Sequence, residues 1–380
     1  MNSIFKNRSN NFVLPHNKIN ERVFSIIKTL QDAGFEAYIV GGGVRDLLLN
    51  LAPKDFDIAT NATPTQIKSQ FKRKCILIGK RFRLAHIFHN RHTYEVATFR
   101  ANSTNKNNAN MRFKDSGIIA RDNVFGTIEE DVYRRDFTVN ALYYDPTNKK
   151  LLDFVDAMQD IKNQNLRLIG DAKLRYTEDP VRILRAIRFA NKLGFSLEAD
   201  TKRQIQTTKH LLGDISPARL YEEYRKLFFH GKAFDNFKMM REYGLLQYMF
   251  GDIESALNDK AFAKFVELSL KNTDSRIKVN KTVNTGFLLA VFLWPEFTTQ
   301  WNKHKNIDSK SRKIILDLLT DKLIKKHSNI LMVNKYVAST IKGIWHLQHT
   351  LESCGARKMK MLTKDRFFRA ANDFLLLRKP

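Results

Sequence analysis

Three consecutive glycines, Gly41-Gly42-Gly43, stand between a short apolar run, Phe35 to Val40, and a helix-like stretch, Val44 to Leu49. No other feature constrains the fold as tightly. A strand that turns through glycine straight into a helix leaves backbone N–H groups bare of side chains at a helix start, where the dipole favours an anion. Such a turn can cradle phosphate. It ends in neither Gly-Lys-Ser/Thr nor Gly-x-Gly-x-x-Gly, so it is no P-loop and no dinucleotide fingerprint. Lys54 to Ala59 reads as a second strand, with Asp55 and Asp57 on one face and Phe56 and Ile58 on the other. Their Cα atoms would lie ~6.5 Å apart, so both carboxylates can converge on divalent cations. A lone Asp-x-Asp is more often an acidic edge facing water. Glu95, alternating with Tyr94 and Val96 in Thr93 to Phe99, offers a third carboxylate from a neighbouring strand.

With 380 residues, 43% of them hydrophobic, the chain has material for two or three packed domains. Its formal charge of +26 calls for an anionic partner. Nucleic acid is favoured over membrane: no basic amphipathic helix marks the N-terminus, and the longest apolar run, Phe287 to Trp294, falls short of the ~20 residues a span needs. Cys75 and Cys354, far apart, exclude a disulfide framework and a Cys-based zinc module. With no export signal in the N-terminal residues, the expected location is the cytoplasm. His86, His89 and His92 are spread by strand and turn, so no histidine metal site is expected.

Residues 1–17 read as an arm or edge extension, followed by a helix from Ile19 to Ala33 that ends at Gly34. Thr63-Pro64 opens a helix to about Phe71, and strands follow at Cys75 to Ile78, Leu84 to Phe88 and Thr93 to Phe99. Residues 101–110 are Asn-rich and read as a surface loop. After a strand around Ala141 to Tyr144 the pattern turns helical, which places a boundary near residue 150. Trp301 to Pro380 carries 18 Lys/Arg against 6 Asp/Glu, or +12, on residues that keep helical apolar spacing.

Further motifs complete the set: Arg134-Arg135-Asp136-Phe137-Thr138-Val139-Asn140, and Glu178-Asp179-Pro180-Val181-Arg182 running into Leu184-Arg185-Ala186-Ile187-Arg188-Phe189. In this order, behind the glycine turn and Asp55-Phe56-Asp57, they resemble the class II nucleotidyltransferases of the polymerase β superfamily, the tRNA CCA-adding enzymes and bacterial poly(A) polymerases. The resemblance implies an α/β (α+β) head with a small mixed or antiparallel sheet and helices, then an all-α neck and body. On that plan residues 1–17 are the arm, 18–150 the head, 151–230 the neck with its base-reading helix, and 231–380 a basic helical body for RNA.

The resemblance also assigns roles. Asp55, Asp57 and Asp136 are the catalytic acids. Asp55 and Asp57, with Glu95 in support, hold two Mg²⁺ ions, one activating the RNA 3′-hydroxyl and one neutralising triphosphate. Gly41, Gly42, Arg45 and Arg135 face phosphate, Asp136 and Asn140 face the sugar, and Arg185 and Arg188 join the base-reading helix. Asp179 and Arg182, at i and i+3 of a helix, suit a base edge showing donor then acceptor, as adenine and cytosine both do. That pair rejects G and U without choosing between A and C.

Three segments tilt the resemblance toward the poly(A) polymerases: Leu77 to His86, Arg121 to Asp131 and Arg366 to Arg378. The expected function is template-independent addition of AMP from ATP to the 3′ ends of mRNA and other transcripts, with release of pyrophosphate. The rivals are a CCA-adding enzyme and a catalytically silent RNA-binding module. ATP and RNA are the expected partners, and no membrane; RNA-decay or RNA-chaperone proteins are admitted without a sequence feature that selects them. The long arginine-rich tail of some poly(A) polymerases is not seen.

Overall fold

A computed structural model describes residues 8–11, 14–79, 84–90, 92–101, 112–113, 119–121, 124–304 and 309–379. Residues 80–83 and 122–123, from the segments that point to poly(A) polymerases, and 102–110 of the Asn-rich stretch lie outside them. Two compact units divide the chain: residues 1–182 with 194–208, and residues 183–193 with 209–380.

In chain order the described strands are β1 (Arg8–Asn11), β2 (Ala37–Val40), β3 (Asp57–Thr60), β4 (Cys75–Ile78), β5 (Leu84–His89), β6 (His92–Thr98), β7 (Arg112–Phe113), β8 (Ile119–Arg121), β9 (Tyr143–Asp145), β10 (Lys150–Asp153), β11 (Asn165–Leu166) and β12 (Ser196–Leu197). Eight of them form one mixed sheet, ordered β1-β10-β9-β2-β3-β6-β5-β4, in which only β3 and β6 run parallel. Strand pairing therefore does not stop at residue 150. β10 extends the sheet, and the N-terminal arm closes it as edge strand β1.

Side chains alternate across the pleat, which gives the sheet two different faces. Ile39, Ile58, Val96 and Tyr144 meet Val23, Ile27 and Leu30 of helix Glu21–Asp32 and Ile67 of helix Pro64–Phe71. That second helix starts as its sequence dictates. Thr63 Oγ1 accepts the Gln66 N–H, Gln66 accepts the Thr63 N–H at 2.8 Å, and Pro64 takes the first turn. Val40, Ala59, Phe99 and Tyr143 fill the other face against Val132 of helix Ile128–Arg134. Asp57 belongs to this second face, two residues before Ala59.

The strand carrying Asp57 is shorter than the sequence pattern predicts. It begins at Asp57, so Asp55 precedes it and the two acids are not alternate residues of one ladder. Packing explains the difference. The Phe56 ring lies where a side chain on Gly43 would be, Cδ1 being 2.9 Å from that Cβ position, and the Asp55 carbonyl is 3.2 Å from it. Burying Phe56 against the glycine turn draws residues 55–56 out of the sheet.

The second unit is helical among its described residues. Phe237 stacks on Phe292, Phe250 lies tilted against the same ring at 4.4 Å, and Trp345 lies 4.4 Å from Phe297 while its Nε1 donates to the Ala290 carbonyl. The apolar run at Phe287 is the buried helix Thr285–Phe292, and no described helix is long and apolar enough to cross a membrane.

Candidate active site

Gly41 sits at φ +78°, ψ −133°, a conformation that glycine alone adopts without strain, and caps a helix that begins at Gly42 rather than Val44. Beside the turn, the register that sets Ile58 against Val96 and Val40 against Asp57 leaves Asp57 next to Glu95 on one face. Protein crowding around the Asp57 carboxylate, then the charges of Asp55 and Glu95, push it up to about 6 against the pull of Arg135. Asp57 still keeps an exposed side. His86, opposite Glu95 across the hairpin, approaches it at 3.7 Å. The donors are all carboxylate oxygens with mutually repelling charge, which fits a hard divalent cation. Among the described residues, no three His, Cys, Asp or Glu side chains are already gathered in ligating geometry.

Arg45 departs from expectation. It is 2% exposed, and its Nε and Nη2 donate to Asp46 Oδ1 at 2.8 and 2.5 Å while Nη1 donates to Asn140 Oδ1. Asn140, in the 3₁₀ turn Thr138–Asn140, passes the contact on: its Nδ2 donates to Asp136 Oδ1 at 3.3 Å. Arg45 thus braces the turn from within.

Arg135 is the guanidinium that comes to the turn. Its Nε and Nη2 donate to Asp131 Oδ2 at 3.1 and 3.0 Å, and Nε also donates to the Tyr143 hydroxyl at 2.9 Å. Its Nη1 lies 3.6 Å from the Cβ position of Gly41. Asp131, 1% exposed, accepts the Tyr143 hydroxyl on Oδ2 and the Arg134 guanidinium on Oδ1. Burial opposes its charge, but Arg135 and Arg134 outweigh it and hold the carboxyl well below the usual range. Asp131 and Tyr143 are not among the site residues expected from sequence, although Asp131 stands three residues before Arg134, the last residue of its helix, and four before Arg135, the residue that caps it, the spacing at which side chains meet.

Asp179 and Arg182 are not i and i+3 of one helix. Helix Ala172–Glu178 ends before Asp179, helix Val181–Leu193 begins after it, and the Asp179 carboxylate accepts the Val181 N–H at 3.3 Å. Pro180 forces this break, since the residue before proline avoids helical geometry. Arg182 Nη1 instead donates to Glu178 Oε2 at 3.2 Å and to the Arg175 carbonyl at 2.7 Å. Arg175 completes the group, donating to Glu178 at 2.6 Å and to the carbonyls of Arg134 and Arg135 at 2.6 and 2.7 Å. In the sequence Glu178 stands in its motif without an assigned role and Arg175 is not singled out; the four-residue step from Glu178 to Arg182 is the signal for their contact. Arg185 and Arg188 belong to the second unit, where both lie over the Phe189 ring and Arg188 faces Glu223 at 3.7 Å.

Comparison with known proteins gives this geometry a family. Residues 37–167 match the poly A polymerase head domain, 194–257 a probable RNA- and SrmB-binding site of polymerase A, and 316–380 a polymerase A arginine-rich C-terminus. Poly(A) polymerase I of Haemophilus influenzae is 40% identical over 94% of this chain and 80% of its own length. The chain belongs to the poly(A) polymerase family. As a member it is a nucleotidyltransferase enzyme. A CCA-adding enzyme from Geobacillus is 39% identical over only 60% of this chain and 54% of its own. The fold is shared more widely: Thermotoga maritima CCA-adding enzyme, solved with tRNA, superposes with a TM-score of 0.66 at 20% identity, covering 96% of this chain and 80% of that one. The arginine-rich C-terminus thus has a counterpart here, weighted toward lysine, with nine Lys and four Arg in 316–380.

Proposed function

We propose that the chain adds AMP from ATP to RNA 3′ ends without a template and releases pyrophosphate. The observation that carries this reading is the convergence of Asp57, Glu95 and Arg135 beside the Gly41 turn, in a chain that matches a poly(A) polymerase over nearly its whole length. A new bond forms between the RNA 3′-oxygen and the α-phosphorus, the bond from that phosphorus to the bridging oxygen breaks, and pyrophosphate carries the electron pair away. Asp55 and Asp57, supported by Glu95, would hold divalent cation, read as two Mg²⁺ ions, which lowers the cost of forming the alkoxide and of the charge on the leaving group.

The chain's own side chains set the geometry. Arg135, fixed by Asp131 and Tyr143, presents Nη1 to triphosphate at the glycine turn. Asp136 and Asn140 take the ribose, with Arg45 keeping Asn140 in place. Asp179 accepts from an exocyclic amine while Arg182 donates to the adjacent ring nitrogen. The basic second unit grips RNA through phosphates, without base information.

The test is incorporation into unrelated RNAs with each NTP alone, with and without Mg²⁺. Long A tracts are expected, and Asp55→Ala and Asp57→Ala are expected to abolish them while RNA binding persists. CTP use confined to tRNA 3′ ends would establish the CCA-adding reading, which the indifference of Asp179 and Arg182 between A and C keeps in play. Normal turnover by either Asp variant would refute the catalytic assignment.

A further inference from the structure

Within the second unit a cavity of about 260 Å³ opens between helix Lys260–Lys278, helix Thr285–Phe292, the start of helix Lys335–Ser353 and helix Phe368–Arg378. Its walls combine two chemistries. Phe287, edge-on to Phe374 at 6.2 Å, gives an apolar side, and Tyr336 stands at the rim 66% exposed, its hydroxyl held by Asn284 Nδ2 at 3.1 Å. Arg276, Arg366 and Arg369 supply the charge. The one acid in the wall, Asp373, faces Arg276 at 3.7 Å. Arg366 is steadied by Ser339 Oγ at 2.9 Å and by the Phe367 ring. Among the described residues no carboxylate pairs with Arg366 or Arg369, and both are exposed.

We propose that this pocket holds one nucleotide of the RNA chain, the base stacked on Tyr336 and the backbone phosphate on Arg369 and Arg366. An exposed aromatic beside unpaired arginines is how single strands are held without sequence preference, because every base has a stacking face. The cavity is smaller than the ~300–1,000 Å³ that usually encloses a free small ligand, and its aromatic rim is open, as a passing strand requires. Residues 301–380, the stretch of sequence to which Tyr336, Arg366 and Arg369 belong, carry +12, which adds to the attraction for phosphates. The segment Arg366 to Arg378 that the sequence sets apart thereby gains a use: it supplies the arginine wall. The inference rests on RNA being the substrate.

The test uses the full chain and a labelled 20-nucleotide oligoadenylate. Tyr336→Ala combined with Arg369→Ala is expected to weaken RNA binding about five- to fiftyfold. Arg369→Ala alone should also flatten the log Kd against log salt slope by about 0.7, while Tyr336→Phe binds as the parent does. Both positions are exposed, so the melting temperature should not move, and the KM for ATP should stay within about twofold. RNA carrying 4-thiouridine should crosslink to the peptide containing Tyr336. Unchanged RNA affinity in the double variant would overturn the proposal, as would labelling of that peptide by photoreactive ATP together with a shifted ATP affinity, which would mark a free-nucleotide site. A parent protein that binds RNA through Tyr336 yet adds no nucleotide would sink the polymerase reading and leave this one standing.

Discussion

Arg135 and Asp131 are joined by two guanidinium nitrogens on one carboxylate oxygen, at 3.1 and 3.0 Å, which leaves Nη1 turned to Gly41. The carboxylate also neutralises Arg134, so one buried acid serves two arginines that are each about one-fifth exposed. Asp131→Asn keeps the shape and removes the charge, leaving both arginines without their counter-ion in a partly desolvated place. A loss of about 2–4 kcal/mol in urea unfolding is expected, the lower end reflecting residual solvent screening. A several-fold rise in the KM for ATP should accompany it. A variant of parental stability would show that water alone satisfies the two guanidinium groups.

Two carboxyls of the head pull the pH dependence of stability in opposite directions. Asp131 is held well below its unfolded value of ~3.9, so its contribution is present above that value and is lost as pH falls below about 4. Asp57, pushed up to about 6, binds its proton more tightly folded than unfolded and therefore subtracts stability as pH climbs from ~4 to about 6. In divalent-free buffer, Asp57→Asn should remove a falling limb across pH 4–6, and Asp131→Asn should flatten the acid limb below it. Thermal melts across pH 3–8 check both signs. Identical profiles for parent and variants would refute the two assignments.

How far the chain could be read in advance depends on how local each interaction is. Thr63, Pro64 and Gln66 make a helix start from residues within one turn, and the strand Cys75–Ile78 is found where its apolar run predicts it. The partnership of Asp57 with Glu95 was readable because parallel neighbours with the same alternation must share a face. The pairing of β1 with β10 was not, since it joins residues some 140 apart and no local pattern encodes a partner. Asp55 was misplaced for a related reason: alternation puts it in the strand, while a distant contact between Phe56 and Gly43 takes it out. Asp179 is a different kind of miss, because Pro180 was visible and only the helical reading of the motif obscured it.

Gly43 is where that distant contact can be tested. A methyl group there would stand 2.9 Å from Phe56 Cδ1 and 3.2 Å from the Asp55 carbonyl, and the backbone oxygen cannot swing away as a flexible side chain would. Gly43→Ala is expected to shift the Asp55 segment and lower kcat for AMP incorporation by at least tenfold, with a modest loss of stability. Adding Phe56→Leu, which relieves the ring contact, should recover part of the rate. Full activity in Gly43→Ala would mean that the position of Asp55 does not limit turnover.

Under the proposed base-reading role of Arg182, Glu178 offers the sharpest separation of base choice from chemistry. Its Oε2 accepts Arg175 at 2.6 Å and Arg182 at 3.2 Å, and it is buried with both. Burial and the neighbouring Arg182 push Arg175 down to about 10, so it stays charged at neutral pH and needs this carboxylate. Glu178→Gln retains one acceptor and loses the charge, which should loosen Arg182 without touching Asp55 or Asp57. Discrimination set by a buried hydrogen-bonding group is worth on the order of 1–3 kcal/mol per group left unpaired. The ratio of kcat/KM for ATP over GTP is therefore expected to fall about tenfold or more, while Mg²⁺ dependence stays as in the parent. If ATP and GTP lose rate in equal proportion, Glu178 supports the fold of this segment and the base is chosen elsewhere.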